Sequence, residues 1–145
     1  MVIGGGPAGL VAARTAAIKG HDVSLYEASS HLGGQFRSAA YPIGKGELST
    51  TTSSYRANLE ALNVPVHLNS EVSEEMIQEI KPDAIILATG AKPMVPPIKG
   101  IDGKNVFTAE DMLLGKYDIS NGPIVVCGGG EVGGETAHYL AGKKS

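Results

Sequence analysis

The sequence predicts an α/β protein built on a doubly wound parallel sheet, and three observations carry that prediction. Short apolar runs at 1–4, 23–27, 64–68, 83–90 and 123–127 alternate with helix-patterned segments. The runs are apolar nearly end to end, as strands covered on both faces must be. Glycine supplies 20 of 145 residues and clusters at 4–9, 33–34, 44–46, 100–103 and 128–134, which marks tight turns and close backbone approach.

Each element has a local reason. Residues 1–4 read as a buried strand, shorter than is usual for the centre of a parallel sheet and so expected to be cut at its N-terminal end. Pro7 suits a first helical turn, where its missing N–H costs nothing. Ala8 to Lys19 follow as a small-residue helix closed by Gly20. The run VSLYE at 23–27 is a second strand ending on an acid, and 28–46 is irregular and rich in turn residues. Leu48, Tyr55, Leu59 and Leu62 recur at near-helical spacing, so 47–62 is read as a helix whose first half is weakened by STTTSS. VPVHL at 64–68 is a strand. Ser73 caps a helix over 73–80 with Met76, Ile77 and Ile80 on one face. DAIILATG at 83–90 reads as the clearest buried strand, and the proline-rich stretch 91–105 as an extended crossover. A short capped helix at 108–116, a loop at 117–122, a strand at 123–127 and a helix from about 131 complete the chain.

Composition excludes several classes. The net charge of −3 comes with no run of Lys or Arg, which argues against nucleic acid and anionic membranes as partners. No apolar stretch reaches the ~18 residues of a membrane span. The one cysteine, Cys127, cannot form an intrachain disulfide, fits a reducing compartment and so points to the cytoplasm. At the end of a predicted buried strand it is expected to be a small apolar core residue. His21, His31, His67 and His138 share no ligand spacing, so no metal site is expected; Glu135 and His138 are read as an exposed pair one helical turn apart.

Three constellations carry chemistry. The first is Gly4-x-Gly6-x-x-Gly9, with Glu27 closing the next strand. Such a pattern alone is also a plain glycine-rich turn; a strand before it, a helix after it and an acid after the second strand select the dinucleotide reading. Gly4 then allows the turn, Gly6 lets a pyrophosphate approach the backbone, and Gly9 lets the helix pack on the strand. The helix start at Pro7 and Ala8 offers N–H groups and positive dipole to phosphate. Glu27 can accept hydrogen bonds from ribose hydroxyls. The second is HLGGQFR at 31–37, either a flexible surface loop or a second backbone stretch reaching the same ligand, with Arg37 either countering phosphate or simply solvated. The third is Ala88-Thr89-Gly90, either an ordinary strand-end turn or a hydrogen-bonding turn at the ligand edge of the sheet.

Together these segments, with LYEASSHLGGQFRSAAYPIGKGEL, ATGAKPMVPPIKGIDGKNVFTAEDMLLGK and VVCGGGEVGGETAHYL, resemble the FAD-binding domain of the NADH:flavin oxidoreductase / 2,4-dienoyl-CoA reductase (trimethylamine dehydrogenase-like) family of two-dinucleotide-binding flavoproteins. The resemblance implies a Rossmann-like, incomplete FAD/NAD(P)-binding fold. It implies that Gly4, Gly6, Pro7, Ala8, Gly9, Glu27 and Ala28 hold the ADP half of FAD. Gly33, Gly34, Gln35 and Arg37 would lie along the cofactor, Val72 would offer backbone to adenine, and Ala88, Thr89 and Gly90 would lie near the pyrophosphate. It also implies NAD(P)H on a second glycine motif, and FMN and a 4Fe-4S cluster in other parts of a parent enzyme. No catalytic residue is assigned to this chain.

A shift of 124 positions lays Gly4, Gly6 and Gly9 on Gly128, Gly130 and Gly133, but the position matching Glu27 would fall beyond Ser145. The expected organisation is therefore an N-terminal part of an FAD domain at 1–106, a connector at 107–122 and the start of a truncated NAD(P)-binding domain at 123–145. The strand at 123–127 is expected to pair with the first sheet or with a partner chain, which allows self-association. The leading function is FAD binding within a flavin-dependent NAD(P)H oxidoreductase; an ADP-binding module without a redox role and an NAD-dependent dehydrogenase are the alternatives.

Overall fold

The computed structural model describes residues 1–117 and 122–142. It contains, in chain order, β1 (Val2–Ile3), α1 (Pro7–Ile18), β2 (Leu25–Tyr26), α2 (Phe36–Ala39), α3 (Glu47–Ala61), β3 (Val66–His67), α4 (Glu74–Ile80), β4 (Ile86–Leu87), α5 (Ala109–Leu113) and α6 (Glu131–Gly142). The strands form one parallel sheet in the order β3-β2-β1-β4. The chain divides into two compact units, Met1–Phe36 with Leu48–Gly90, and Arg37–Glu47 with Ala91–Ser145. None of the described helices is long and apolar enough to cross a membrane.

The first unit holds the sheet. Val2 is in register with Leu25 and Ile86, and Leu25 with Val66, so these side chains share one face. On that face Val2, Leu25, Leu10 and Ala13 of α1, Val23, Leu32, Leu59 of α3, and Val64 form the core. The small residues of α1 permit close docking: Ala13 is fully buried, and Ala16 and Ala17 lie against the cluster. Gly20 ends α1 with positive φ, its N–H bonded to the Ala17 carbonyl at 2.9 Å. The expected Ser73 cap is present, its Oγ accepting from Met76 N at 3.3 Å.

Two expectations are corrected. The run 83–90 is not a buried strand: β4 is an edge of the four-stranded sheet, and Leu87 is 74% exposed. Nor do residues 123–127 form a strand, because no ladder includes them, and Val125 is 84% exposed. An apolar β-branched run specifies strand only when a neighbouring edge supplies hydrogen bonds. The loop expected at 117–122 lies, at 118–121, outside the described residues.

In the second unit α5 packs against α6, burying Met112, Leu113, Thr136 and Leu140. Thr108 caps α5, its Oγ1 accepting from Asp111 N at 3.1 Å, and Lys116 donates to Asp111 Oδ1 at 2.6 Å. Lys45 pairs with Glu135 and, at 3.6 Å, with Glu131. Glu135 is thus engaged by a lysine, which corrects the expected exposed pair with His138.

Leu25 is fully buried at the centre of the first core. Leu25→Ala is expected to lower the unfolding free energy by about 2–5 kcal/mol. Ile18→Ala, at a position 56% exposed, should cost within about 0.5 kcal/mol. Urea denaturation of the two variants beside the wild type checks both values.

Candidate functional site

The site grows from the carboxyl end of β1. There Gly4 turns the chain with φ of +109°, and a Cβ at this position would overlap the carbonyl oxygen of Ala88 and lie 2.6 Å from its carbonyl carbon. At Gly9, on the first turns of α1, a Cβ would overlap the Gly4 carbonyl oxygen and lie 3.3 Å from the Ala88 Cβ. The loop is therefore held between β4 and α1 with no room for side chains. Ala88 N donates to the Ile3 carbonyl at 2.7 Å, and Gly4 N to the Tyr26 carbonyl at 2.8 Å, so both neighbouring strands fix its base. Gly90 closes the adjoining Ala88-Thr89-Gly90 turn with positive φ. The strand order sets β1 beside β4, which does not follow it in the chain, and the crevice lies at the carboxyl edge between them, the ligand edge of open α/β sheets.

Gly6 differs from its neighbours. Its φ of −73° and ψ of 177° suit any residue, and the nearest atom to an added Cβ is the Gly34 Cα at 4.0 Å. Glycine at position 6 is thus not demanded by the fold; it leaves open space directly before the start of α1. Pro7 opens that helix, Ala8 is exposed, and Leu10 N closes the first turn on the Gly6 carbonyl at 3.0 Å. The amides of this turn have no partner within the helix and form a ready cradle for an anion.

Glu27 stands at the end of β2. Its Oε2 accepts from Gly5 N at 2.6 Å and its Oε1 from Ser29 N at 2.8 Å. Burial raises the carboxyl pKa, but the N–H donors of Ser29 and Gly5 outweigh it, so the net shift is downward and the group is held ionised. A carboxylate has about four lone-pair sites, so two backbone bonds leave room for ribose hydroxyls. The acid therefore braces the glycine loop in addition to facing the crevice.

The glycine pair closes the third side. Gly33 N donates to the Gly5 carbonyl at 2.8 Å, and a Cβ at Gly34 would stand 3.1 Å from the Gly6 Cα. Both have positive φ. Of the two readings of 31–37, the structure thus brings Gly33 and Gly34 onto the first loop. Gln35 is exposed, Ala28 is exposed, and Arg37 is exposed within the second unit. Asn69 N and Ser70 N donate to the Ser29 and Glu27 carbonyls at 2.9 Å, which ties the segment leading to Val72 to the end of β2.

Three contributors escape the spacing of the motif. A Cβ at Gly5 would lie 2.6 Å from Leu32 Cδ2 and 3.0 Å from Glu27 Oε2, so Gly5 lets the acid and the buried Leu32 close over the loop. Ser29 supplies the second backbone donor to Glu27. The middle glycine of Gly4-Gly5-Gly6 and an apolar residue directly before the glycine pair are the sequence signals for Gly5 and Leu32.

The second motif, within its own unit, repeats the turn. Gly128 has φ of +118°, a Cβ at Gly133 would overlap the Gly128 carbonyl oxygen, and Gly134 N donates to the Gly130 carbonyl at 2.9 Å. These match Gly4, Gly9 and the Leu10-to-Gly6 bond in the first copy. Among the described residues no second layer covers it: a Cβ at Gly128, Gly129 or Gly130 would meet nothing within 4 Å. Cys127, expected in a core, is exposed, because the run before it joins no sheet.

The sequence model of the pyridine nucleotide-disulphide oxidoreductase family matches residues 1–145. The chain is 46% identical to an NADH oxidase of Thermoanaerobacter brockii over 99% of this chain and 22% of that protein. It is 41% identical to a bilirubin reductase of Mediterraneibacter gnavus over 97% and 22%. Among solved structures, a 2-naphthoyl-CoA reductase in complex with 2-naphthoyl-CoA superposes with a TM-score of 0.85 at 33% identity, covering 98% of this chain and 22% of that one. The chain thus spans about a fifth of the length of these relatives. Family membership implies binding of FAD and NAD(P)H and a redox flavoprotein module. With the glycine loop, the acid and the parallel sheet all in place, the chain belongs to the pyridine nucleotide-disulphide oxidoreductase family.

Proposed function

We propose that this chain is the FAD-binding part of a longer flavin-dependent NAD(P)H oxidoreductase, and that it holds FAD by its ADP moiety. One observation supports this above the rest: Gly4–Gly9, Glu27, Gly33–Gly34 and Ala88–Gly90 converge on one crevice at the carboxyl edge of the sheet. The residues fit the group. Gly6 leaves backbone open where a pyrophosphate must approach, α1 presents its amides there, and Glu27 keeps acceptor capacity for ribose. The segment tied to β2 offers the backbone of Val72 to adenine, and Gln35 continues along the cofactor. When bound, FAD supplies hydride acceptance and one-electron transfer. The chain's own part is to bind, orient and shield one half of it.

In this reading residues 1–106 belong to the FAD domain, 107–122 connect, and 123–145 begin the domain that takes NAD(P)H. NAD(P)H, an iron–sulfur cluster and FMN would be held by the parent polypeptide outside residues 1–106. The exposed run Ile124–Val126 contacts the remainder of that polypeptide, or a second copy when the chain is alone.

Three outcomes test these assignments. Titration with FAD should quench flavin fluorescence saturably, and ADP should compete. Gly6→Val should weaken FAD tenfold or more, about 1.4 kcal/mol, while the urea midpoint stays near wild type because the backbone angles there suit any residue. Equal FAD affinity in Gly6→Val, or ADP binding with no flavin response, would replace the FAD reading with a plain nucleotide module.

Glu27 yields a pH prediction. Its folded pKa lies below the ordinary value of 4.5, so its contribution is present above 4.5 and disappears as pH falls through the folded value. The wild-type advantage over Glu27→Gln is expected to be about 1 kcal/mol at neutral pH, given partial solvent screening. It should shrink on acidification below 4.5; an advantage unchanged with pH would show that the charge does not brace the loop.

Sedimentation velocity should show weak concentration-dependent association that Val125→Asp reduces; identical profiles for both proteins would exclude the 124–126 run as a contact.

A further inference from the structure

Away from the dinucleotide crevice, α1 and α3 flank an open cleft of about 520 Å³ lined by Arg14, Thr50, Thr51, Ser54, Tyr55 and Asn58. Every lining residue carries a polar group, and none carries a carboxylate. Arg14 has only apolar neighbours one turn away on its own helix, Leu10, Val11, Ala17 and Ile18. Among the described residues it forms no ion pair, whereas Arg56 on the adjoining helix is matched to Glu60 at 3.0 Å. Arg14 is half-buried as a residue and lines the cleft. Ser54, Tyr55 and Asn58 of α3 also line the cleft, bringing hydroxyl, phenol and amide groups to its wall.

We infer that this cleft is a second, oxyanion-binding site for a phosphate group, either free phosphate or the phosphoryl end of a small monoester. A planar guanidinium with flanking hydroxyl and amide donors matches a tetrahedral dianion, and a concave wall strengthens the attraction over that of a flat surface. The volume leaves space beyond one phosphate ion for a small organic group. None of the lining residues belongs to Gly4–Gly9, Glu27, Gly33–Gly34 or Ala88–Gly90, so the inference stands independently of flavin binding.

The test is a titration of the 145-residue chain, followed by amide and arginine-side-chain NMR, with inorganic phosphate, glycerol 3-phosphate and acetate at constant ionic strength. Saturable shifts at the Arg14 side chain and the amides of 50–58 are expected with both phosphate probes. A tighter monoester would identify a phosphorylated metabolite as the occupant, and equal affinity would identify the free ion. Arg14→Gln should weaken binding about tenfold or more, as loss of a charge-assisted pair does. Tyr55→Phe, which keeps the packing and removes one donor, should weaken it less. Shifts that grow linearly without saturation, that match those of acetate, that centre on Gly5–Gly9, or that persist unchanged in Arg14→Gln would each overturn the assignment.

Discussion

The structure depends on one steric constraint, the absence of side chains where β1, β4 and α1 meet. Gly4 admits the Ala88 carbonyl, and Gly9 admits the Gly4 carbonyl. That double approach fixes the start of α1 against the sheet and lets α1 run back over the core through Leu10 and Ala13. A methyl group at either glycine would force backbone apart, since the colliding atoms are carbonyls and cannot rotate away. The same approach sets the helix amides beside the strand ends, so the packing that closes the fold also shapes the anion cradle.

Around this junction Glu27 does two jobs with one carboxylate. Its bond to Gly5 N ties the loop to β2, and its bond to Ser29 N sets the turn that leads to Leu32 and the glycine pair. Gly33 then returns a bond to the Gly5 carbonyl. The loop is thus held by the chain's own hydrogen bonds, which limits the ordering cost of binding. Ionisation matters to this arrangement because a protonated acid would accept less well from two backbone donors.

Much of this was legible in the sequence. The glycine spacing, read with a strand before it, a helix after it and an acid closing the next strand, pointed to Gly4, Gly6, Gly9 and Glu27, and the caps at Ser73 and Thr108 were readable because each depends on residues within three positions. What depended on distant partners was not. The run 83–90 has the composition of an interior strand, yet its neighbours in the sheet lie on one side only. Residues 123–127 have the same composition and form no ladder. Cys127 followed them out of the expected core. Gly5 was hidden because its role is to admit Leu32 and Glu27, which the motif does not mention. Lys45 took Glu135 from across 90 positions, a pairing that helical spacing cannot show.

The two glycine turns separate what a motif specifies from what a site requires. Gly4 with Gly9 and Gly128 with Gly133 reach the same backbone form, down to the bond from the tenth residue of each repeat, Leu10 or Gly134. Local sequence suffices for that turn, since it rests on positive φ at the first glycine and no Cβ at the third. A binding site needs more. The first turn is enclosed by Ala88, Leu32, Glu27 and Gly34, each delivered by a different later segment of the chain. The second has none of these neighbours at Gly128, Gly129 or Gly130. A glycine pattern therefore specifies a bend and a helix start; the acid and the second backbone layer, arriving from elsewhere, convert that bend into a nucleotide crevice.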